Sequence, residues 1–351
     1  METAERPIIL YWVMATVGLW WVANTIATIA SKSVMKGDDI SFKGTTGWTS
    51  AFEDLRWVDL TTYQHLIGSV ITVLLVKAKG KSVWPSCTHG LKTIICIASI
   101  GNVIRNLTTN AAYALITSSS VQVVKACEPL FTFMLTVLLY RNYAALGVST
   151  LLSVAIIVVR AGSFLMGDAR FNIWGLIVGM ISNTAFPMRN TYLKKLSEVW
   201  DSSLQKYAVI SILSTFFLLP VVLVKVFINQ KIVTVRISES LISGVFHCTY
   251  NLASIKVLEN FSPVSHAILN ISKRFFVVSV NIMYFRIPIS WNMLISLAVL
   301  LIGCYFYQMK SSSKKHNTVN KVSSTYCLHS IFIDATYFLA KQTSETKQST
   351  K

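Results

Sequence analysis

Charge is scarce in this chain. Only 13% of its 351 residues are Asp, Glu, Lys or Arg, about half of the roughly 25% carried by a soluble domain, while 53% are hydrophobic. That excludes an ordinary soluble enzyme. Acids are the scarcest group: 15 Asp plus Glu stand against 32 Lys plus Arg, a formal charge of +17. The six cysteines are scattered, with no paired spacing that would make a disulfide framework or a zinc site. An Asp-rich metal motif is absent and the six histidines, His65, His89, His247, His266, His316 and His329, are dispersed in sequence, so neither metal nor cofactor is expected. The first apolar run is expected to stay as an uncleaved helix rather than act as a secretory leader. The opening Met-Glu-Thr-Ala-Glu-Arg-Pro mixes acid with base, and the apolar run behind it is too long for a signal core and has no small-residue cleavage site.

What the chain does have is a succession of long apolar runs. A bilayer core takes about 20 apolar residues per helix, and candidate spans fall near 8–30, 60–77, 93–117, 119–140, 144–161, 172–194, 205–228, 241–258, 262–285 and 289–309. This predicts an all-α integral membrane protein of ten transmembrane helices. The narrowest division is at Thr117-Ser118-Ser119-Ser120, which separates the third span from the fourth; without a turn there, nine helices result. Tyr140-Arg141 closes the fourth span and Phe285-Arg286 the ninth, each followed by a short loop and one more helix. Five helices plus five would place equivalent elements in opposite orientation, an inverted repeat common in secondary transporters. Residues 1–309 are thus expected to form one transporter unit. Residues 310–351 turn to Lys, Ser, Thr, Asn and Gln and read as a disordered cytosolic tail.

With the N-terminus in the cytosol, the larger share of basic residues lies on the cytosolic side, among them Lys77, Lys79, Lys81, Lys92, Lys194, Lys195 and the tail. The opposite side takes Lys32, Lys36, Lys43 and Lys225 with the acidic group Asp38, Asp39, Glu53, Asp54 and Asp59. The positive-inside rule therefore favours cytosolic termini. Five basic residues remain within spans: Arg105, Lys125, Arg189, Lys273 and Arg274, against Glu128 as the one acid similarly placed. Each such charge costs about 2.5–3.5 kcal/mol on insertion scales, so lipid is excluded as their surroundings and a wet, protein-walled cavity is required. Arg189 has an alternative place, snorkelling at a helix end, and Lys125 with Glu128 three residues on has another, a self-neutralised pair on one helix face. Lys273-Arg274 lies about eleven residues into its helix, roughly 16 Å from the end, with no acid nearby in sequence. A positive cavity implies an anion. Phosphate suits it best, because guanidinium presents a planar fork to phosphate oxygens while Lys acts as a point charge.

The motifs resemble those of the triose-phosphate/phosphate translocators. Thr109-Asn110 followed by Val121-Gln122-Val123-Val124-Lys125-Ala126-Cys127-Glu128-Pro129-Leu130-Phe131, then Ser182-Asn183 with Arg189-Asn190, then Pro263-Val264-Ser265-His266-Ala267 with Asn270 and Lys273-Arg274 occur in that family's order. The resemblance implies a ten-helix fold of the drug/metabolite transporter superfamily and strict exchange of phosphate for phosphorylated three- to six-carbon compounds. It implies that Lys125, Lys273 and Arg274 hold the phosphate group, and that Thr109 and Tyr250 complete the site. At one place the chain departs. Where the family commonly has a small residue and His three residues before the motif Thr, this sequence has Arg105-Asn106. Asn has no titratable proton, so the pH dependence of the site is expected to be the substrate's own. Arg105 adds a charge that would suit a second anionic group, as in a phosphoglycerate or phosphoenolpyruvate.

The expected partners are phosphate, phosphorylated metabolites and the bilayer, with neither nucleic acid nor an obligate protein partner. Alternatives stay open: a Golgi or endoplasmic-reticulum carrier of nucleotide-sugars or other organic anions, a multi-spanning enzyme, or an anion channel. Because the first helix begins almost at once, without a Ser- and Arg-rich transit segment, two addresses are expected, the bounding membrane of a complex plastid and the Golgi or endoplasmic reticulum.

Overall fold

The computed structural model describes residues 2–36, 55–84, 89–128, 130–131, 134, 148–168, 171–197, 200, 202–228, 236–260, 263–286, 291–292, 294–300, 302–303 and 306. Among them run α1 (Glu2–Lys36), α2 (Arg56–Ala78), α3 (His89–Leu115), α4 (Ser118–Ala126), α5 (Val148–Met166), α6 (Ile173–Ser197), α7 (Ser203–Ile228), α8 (Ile237–Asn260) and α9 (Pro263–Phe285), and the described residues from 291 to 306 are helical too. Ten helices are thus met in the expected order, and the described residues contain no strand. α1 continues to Lys36 and α2 begins at Arg56, so both run past the expected spans 8–30 and 60–77. The tail 310–351 lies outside the described residues.

By length and composition, three described segments suffice to cross a membrane: Trp12–Met35, Arg56–Ala78 and Ser203–Ile228. The others are diluted by polar residues, and those residues point inward. Asn102, Arg105, Asn106, Thr109 and Asn110 of α3 are all buried, whereas Phe227, Met283, Trp291 and Leu223 are among the most exposed side chains. A soluble protein rarely exposes such an apolar surface; lipid accommodates it.

The boundary between α3 and α4 follows from local chemistry. Thr117 caps α4 in an extended conformation, its hydroxyl accepting from the Ser120 amide at 3.2 Å, which satisfies one of the orphan donors of a helix start. The same hydroxyl donates to Asp168 at 2.6 Å, and Ser120 donates to that carboxylate as well. The carbonyls at the end of α3 find a cation: Lys32 Nζ donates to Tyr113 O at 2.5 Å and Ile116 O at 2.7 Å. Lys32, expected in a loop, is therefore a buried C-terminal cap. At the same end of the bundle Lys225 pairs with Asp59, joining the end of α7 to the start of α2. At the other end Gln205 Nε2 donates to Ser82 O at 2.7 Å. These contacts agree with the up-and-down order read from the sequence.

Close packing rests on small residues where side chains would clash. The most extensive helix pairs are α3 with α6, α1 with α8 and α2 with α7. Gly175 and Gly179, one turn apart on α6, sit against Ile116 and Val124: an added Cβ would lie 2.5 Å from Ile116 Cγ2 and 2.8 Å from Val124 Cγ1. Gly162 of α5 has nothing within 4 Å of that position. Gly175→Val is expected to destabilise by about 1–3 kcal/mol, the usual cost of overpacking, while Gly162→Ala is neutral or slightly stabilising through helix propensity. Thermal unfolding of the purified variants in detergent measures the difference.

Candidate anion site at the centre of the bundle

Helical spacing builds the site. On α3 the residues Arg105, Asn106, Thr109, Asn110 and Tyr113 repeat at one and four positions and so share one face. On α1 Asn24, Ala27, Thr28 and Ser31 do the same, and on α9 Asn270, Lys273 and Arg274. With Gln64 of α2, Gln122 and Lys125 of α4, Glu128 just beyond it, Ser182, Asn183 and Phe186 of α6, and His247 and Tyr250 of α8, these line one central cavity of about 60 Å³. At 10–15 Å³ for each water-sized group, that is space for roughly four to six such groups. That is room for an oxyanion such as phosphate.

The cations converge as expected, but one is answered. Arg274 forms an ion pair with Glu128, residues 146 positions apart in sequence. The expectation that no acid meets the Lys273-Arg274 pair is corrected, and Glu128 reaches across to α9 beyond its own helix face. Lys273 holds its Nζ 4.3 Å from the centroid of the Trp20 ring, a cation–π contact that keeps an ammonium in place without neutralising it. Arg105 is buried, donates through Nη2 to Asn251 Oδ1 at 3.3 Å, and lies over the Phe186 ring at 5.4 Å. Lys125 lines the cavity within electrostatic reach of Arg105, Lys273, Arg274 and Glu128. Four basic side chains with one carboxylate give the lining a formal excess of three positive charges.

Arg189 is placed differently. It is buried rather than snorkelling, but outside the cavity lining. Its backbone packs against Gly101, where an added Cβ would lie 3.5 Å from its amide nitrogen, and its Nη1 donates to Asn190 Oδ1 at 3.2 Å. Thr109 is in the lining and also bonds its own helix, donating to Arg105 O at 2.6 Å with Ser182 Oγ 2.8 Å away. Tyr250 lines the cavity with its ring edge-on to His247, centroids 5.1 Å apart.

Two features were not legible in sequence. The first is a neutral layer between the cations and the Lys32 end. Asn110 Nδ2 donates to Thr61 Oγ1 and Gln64 Oε1, both at 2.9 Å; Gln64 Nε2 donates to Ser243 Oγ at 2.8 Å and Ser31 Oγ at 3.2 Å. Gln122 joins it, donating to the Tyr113 hydroxyl at 2.8 Å. This layer draws α1, α2, α3, α4 and α8 together on that side of the cavity. The second is a histidine pair. His65 and His247, dispersed in sequence, meet with ring centroids 5.8 Å apart, and His65 Nε2 lies 3.0 Å from Asn106 Nδ2. An imidazole therefore stands beside the position where the resemblance led one to expect a histidine and the sequence has asparagine.

Comparison with known proteins agrees with these motifs. The sequence pattern of the Triose-phosphate Transporter family matches residues 12–308. The xylulose 5-phosphate/phosphate translocator, chloroplastic, of Arabidopsis thaliana is 26% identical over 318 residues, covering 85% of this chain and 70% of the relative. The phosphoenolpyruvate/phosphate translocator 2, chloroplastic, of the same plant is 30% identical, covering 61% and 59%. The triose phosphate/phosphate translocator, chloroplastic, of Spinacia oleracea is 30% identical, covering 62% and 56%. The chain thus spans little more than half of the last two relatives. A crystal structure of a protein 12% identical superposes with a TM-score of 0.54 over 88% of this chain and 99% of the other, a likeness of fold alone.

Because Arg274 and Glu128 are mostly buried, removing one partner strands the other. Arg274→Gln alone is expected to cost about 3–5 kcal/mol of stability, and the double variant Glu128→Gln with Arg274→Gln to recover a large part of it. Thermal unfolding of the two single variants and the double variant measures the coupling; additive losses would show that the pair contributes nothing jointly.

Proposed function

The chain belongs to the Triose-phosphate Transporter family, and from that premise we propose that it is an antiporter exchanging inorganic phosphate for phosphorylated small metabolites such as triose phosphate, phosphoglycerate or phosphoenolpyruvate. One observation carries this reading: Arg105, Lys125, Lys273 and Arg274 converge with a single carboxylate on a cavity of phosphate size. Lys125, Lys273 and Arg274 hold the phosphoryl group, with Thr109, Tyr250 and Asn106 as hydrogen-bonding neighbours. Arg189 acts from behind the lining through its field. The residues carry positive charge and polar donors, which suits binding and release of an oxyanion; the protein is a transporter and not an enzyme.

The mechanism is alternating access. Two five-helix halves, related as inverted repeats, rock about the bound anion within a single unit of residues 1–309, from which residues 310–351 extend as a cytosolic tail. When the cavity is empty, Glu128 offsets only part of the charge, and bringing the cations together in a low dielectric is costly. Closure therefore requires an anion, and exchange becomes obligatory. The neutral layer of Gln64, Asn110, Ser31 and Ser243 is the closed gate on one side. The sorting of basic loops supports cytosolic termini, and the chloroplastic relatives support a membrane bounding a plastid.

Proteoliposomes preloaded with phosphate are expected to take up labelled phosphate or triose phosphate, and unloaded vesicles to take up almost none; equal uptake into both would indicate a channel or uniporter. Arg274→Lys keeps the charge but loses the planar fork. Its exchange rate is expected to fall about 10- to 100-fold, the equivalent of the 1.5–3 kcal/mol of a hydrogen bond to a charged group.

Arg105 generates a further expectation. Competition by a panel of phosphorylated compounds against labelled phosphate should rank phosphoglycerate and phosphoenolpyruvate above triose phosphate in the wild type. Arg105→Gly should lower those two by about tenfold relative to triose phosphate, the loss of one charged contact. An unchanged ranking would mean that Arg105 plays no part in substrate choice.

A further inference from the structure

The histidine pair and Asn251 carry one more step, which rests on the anion site proposed above. His247 and His65 are both buried, and the Nδ1 atom of each lacks a hydrogen-bond partner among the described residues. Asn251, one turn beyond His247 on α8, bonds on both sides of its amide. Its Oδ1 accepts from Arg105 Nη2 at 3.3 Å, and its Nδ2 donates to His247 O at 2.8 Å and faces His247 Nε2 at 3.3 Å. The orientation of this amide follows from its neighbours. Guanidinium only donates and a backbone carbonyl only accepts, so the amide oxygen must face Arg105 and the nitrogen must face His247. His247 Nε2 is then an acceptor. With Nε2 accepting, the ring proton of a neutral His247 sits on Nδ1.

We propose that His247 is a proton-binding site linked to anion binding through Asn251, whose amide serves either Arg105 or a protonated His247 but not both in its present orientation. A proton on His247 Nε2 would meet the amide N–H head-on. An oxyanion in the cavity draws the guanidinium of Arg105 toward itself and releases Asn251 Oδ1, and the amide then turns its oxygen to the imidazolium at the expense of its bond to His247 O. Charge acts in the same direction. The pair is faced by Arg105 from α3, Lys125 from α4 and Arg189 from α6. Tyr250 stands on its own helix, and the Tyr207 hydroxyl of α7 lies against Gly68, less than a turn from His65; Lys273, Arg274 and Glu128 lie across the cavity. An additional positive charge there is opposed while the cavity is empty and favoured once a dianion occupies it. Anion and proton therefore bind together, and the site has a titration of its own, contrary to what Asn106 alone led one to expect.

The test uses the purified full-length protein in detergent and sulfate as probe, since sulfate stays a dianion throughout the range of about pH 5 to 8 in which histidine titrates. Calorimetric titration in two buffers of different ionisation enthalpy counts the protons taken up. Up to one proton per sulfate is expected, with affinity falling about tenfold per pH unit on the alkaline side, the slope for a single linked proton. His247→Gln should abolish the uptake and flatten the pH dependence. The isosteric Asn251→Asp, whose carboxylate accepts from Arg105 and from protonated His247 together, should lose the uptake as well because its histidine is already protonated. Sulfate binding without proton uptake by the wild type, or uptake persisting in His247→Gln, overturns the linkage while leaving the anion site intact. Failure of both sulfate and phosphate to bind overturns the anion site itself and this linkage with it.

Discussion

The architecture turns on one electrostatic constraint: positive side chains placed within membrane-spanning helices must be kept from lipid and cannot be neutralised by the protein alone. Four cations reach the central cavity and one carboxylate, Glu128, answers them through Arg274. The polar faces of α1, α3, α4, α8 and α9 follow from that need, since each turns residues at helical spacing toward the same space. So does the reversed surface, with Phe227, Met283 and Leu223 outside and Asn, Gln, Ser and Thr within. A single acid is the informative number. A cavity with as many acids as bases would be satisfied without a ligand, and one with none would resist assembly; a remaining excess of positive charge leaves a place for an oxyanion.

The helical ends show how such a bundle is fixed without large extramembrane structure. Lys32 serves the carbonyls where α3 stops, and Thr117, Ser120 and Asp168 serve the amides where α4 begins. Glycines of α6 let it approach that corner. The neutral layer built on Gln64 and Asn110 lies directly beneath, made of hydrogen bonds between uncharged groups on five helices. Such bonds are individually modest within membranes, which suits the gate proposed above.

Much of the fold was legible because it depends on local pattern. Hydrophobic length located the helices, and Thr117 with the serines behind it marked the break between α3 and α4, because side-chain capping is a signal carried by neighbouring residues. Alternation of the spans gave the relative order of ends, and Lys225 and Asp59, assigned to the same side, meet there. The cavity cations were legible for a different reason: charge within an apolar run is too costly to face lipid, so it marks a polar space walled by protein. What the sequence did not reveal was pairing at a distance. Glu128 with Arg274, Lys32 with the end of α3, and His65 with His247 join residues far apart in the chain, and no local spacing announces them. Arg189 shows the reverse limit: burial was foreseeable from its span, but not that its side chain would fall outside the lining of the cavity.

The claim on which the account depends is that the cavity is a saturable oxyanion site. Equilibrium binding of labelled phosphate to the purified protein in detergent tests it most directly. The account predicts one phosphate per chain, displaced by triose phosphate and weakened about tenfold or more by Lys125→Ala, the loss expected for a charge-assisted contact. Absence of saturable binding, or binding indifferent to Lys125→Ala, would contradict it.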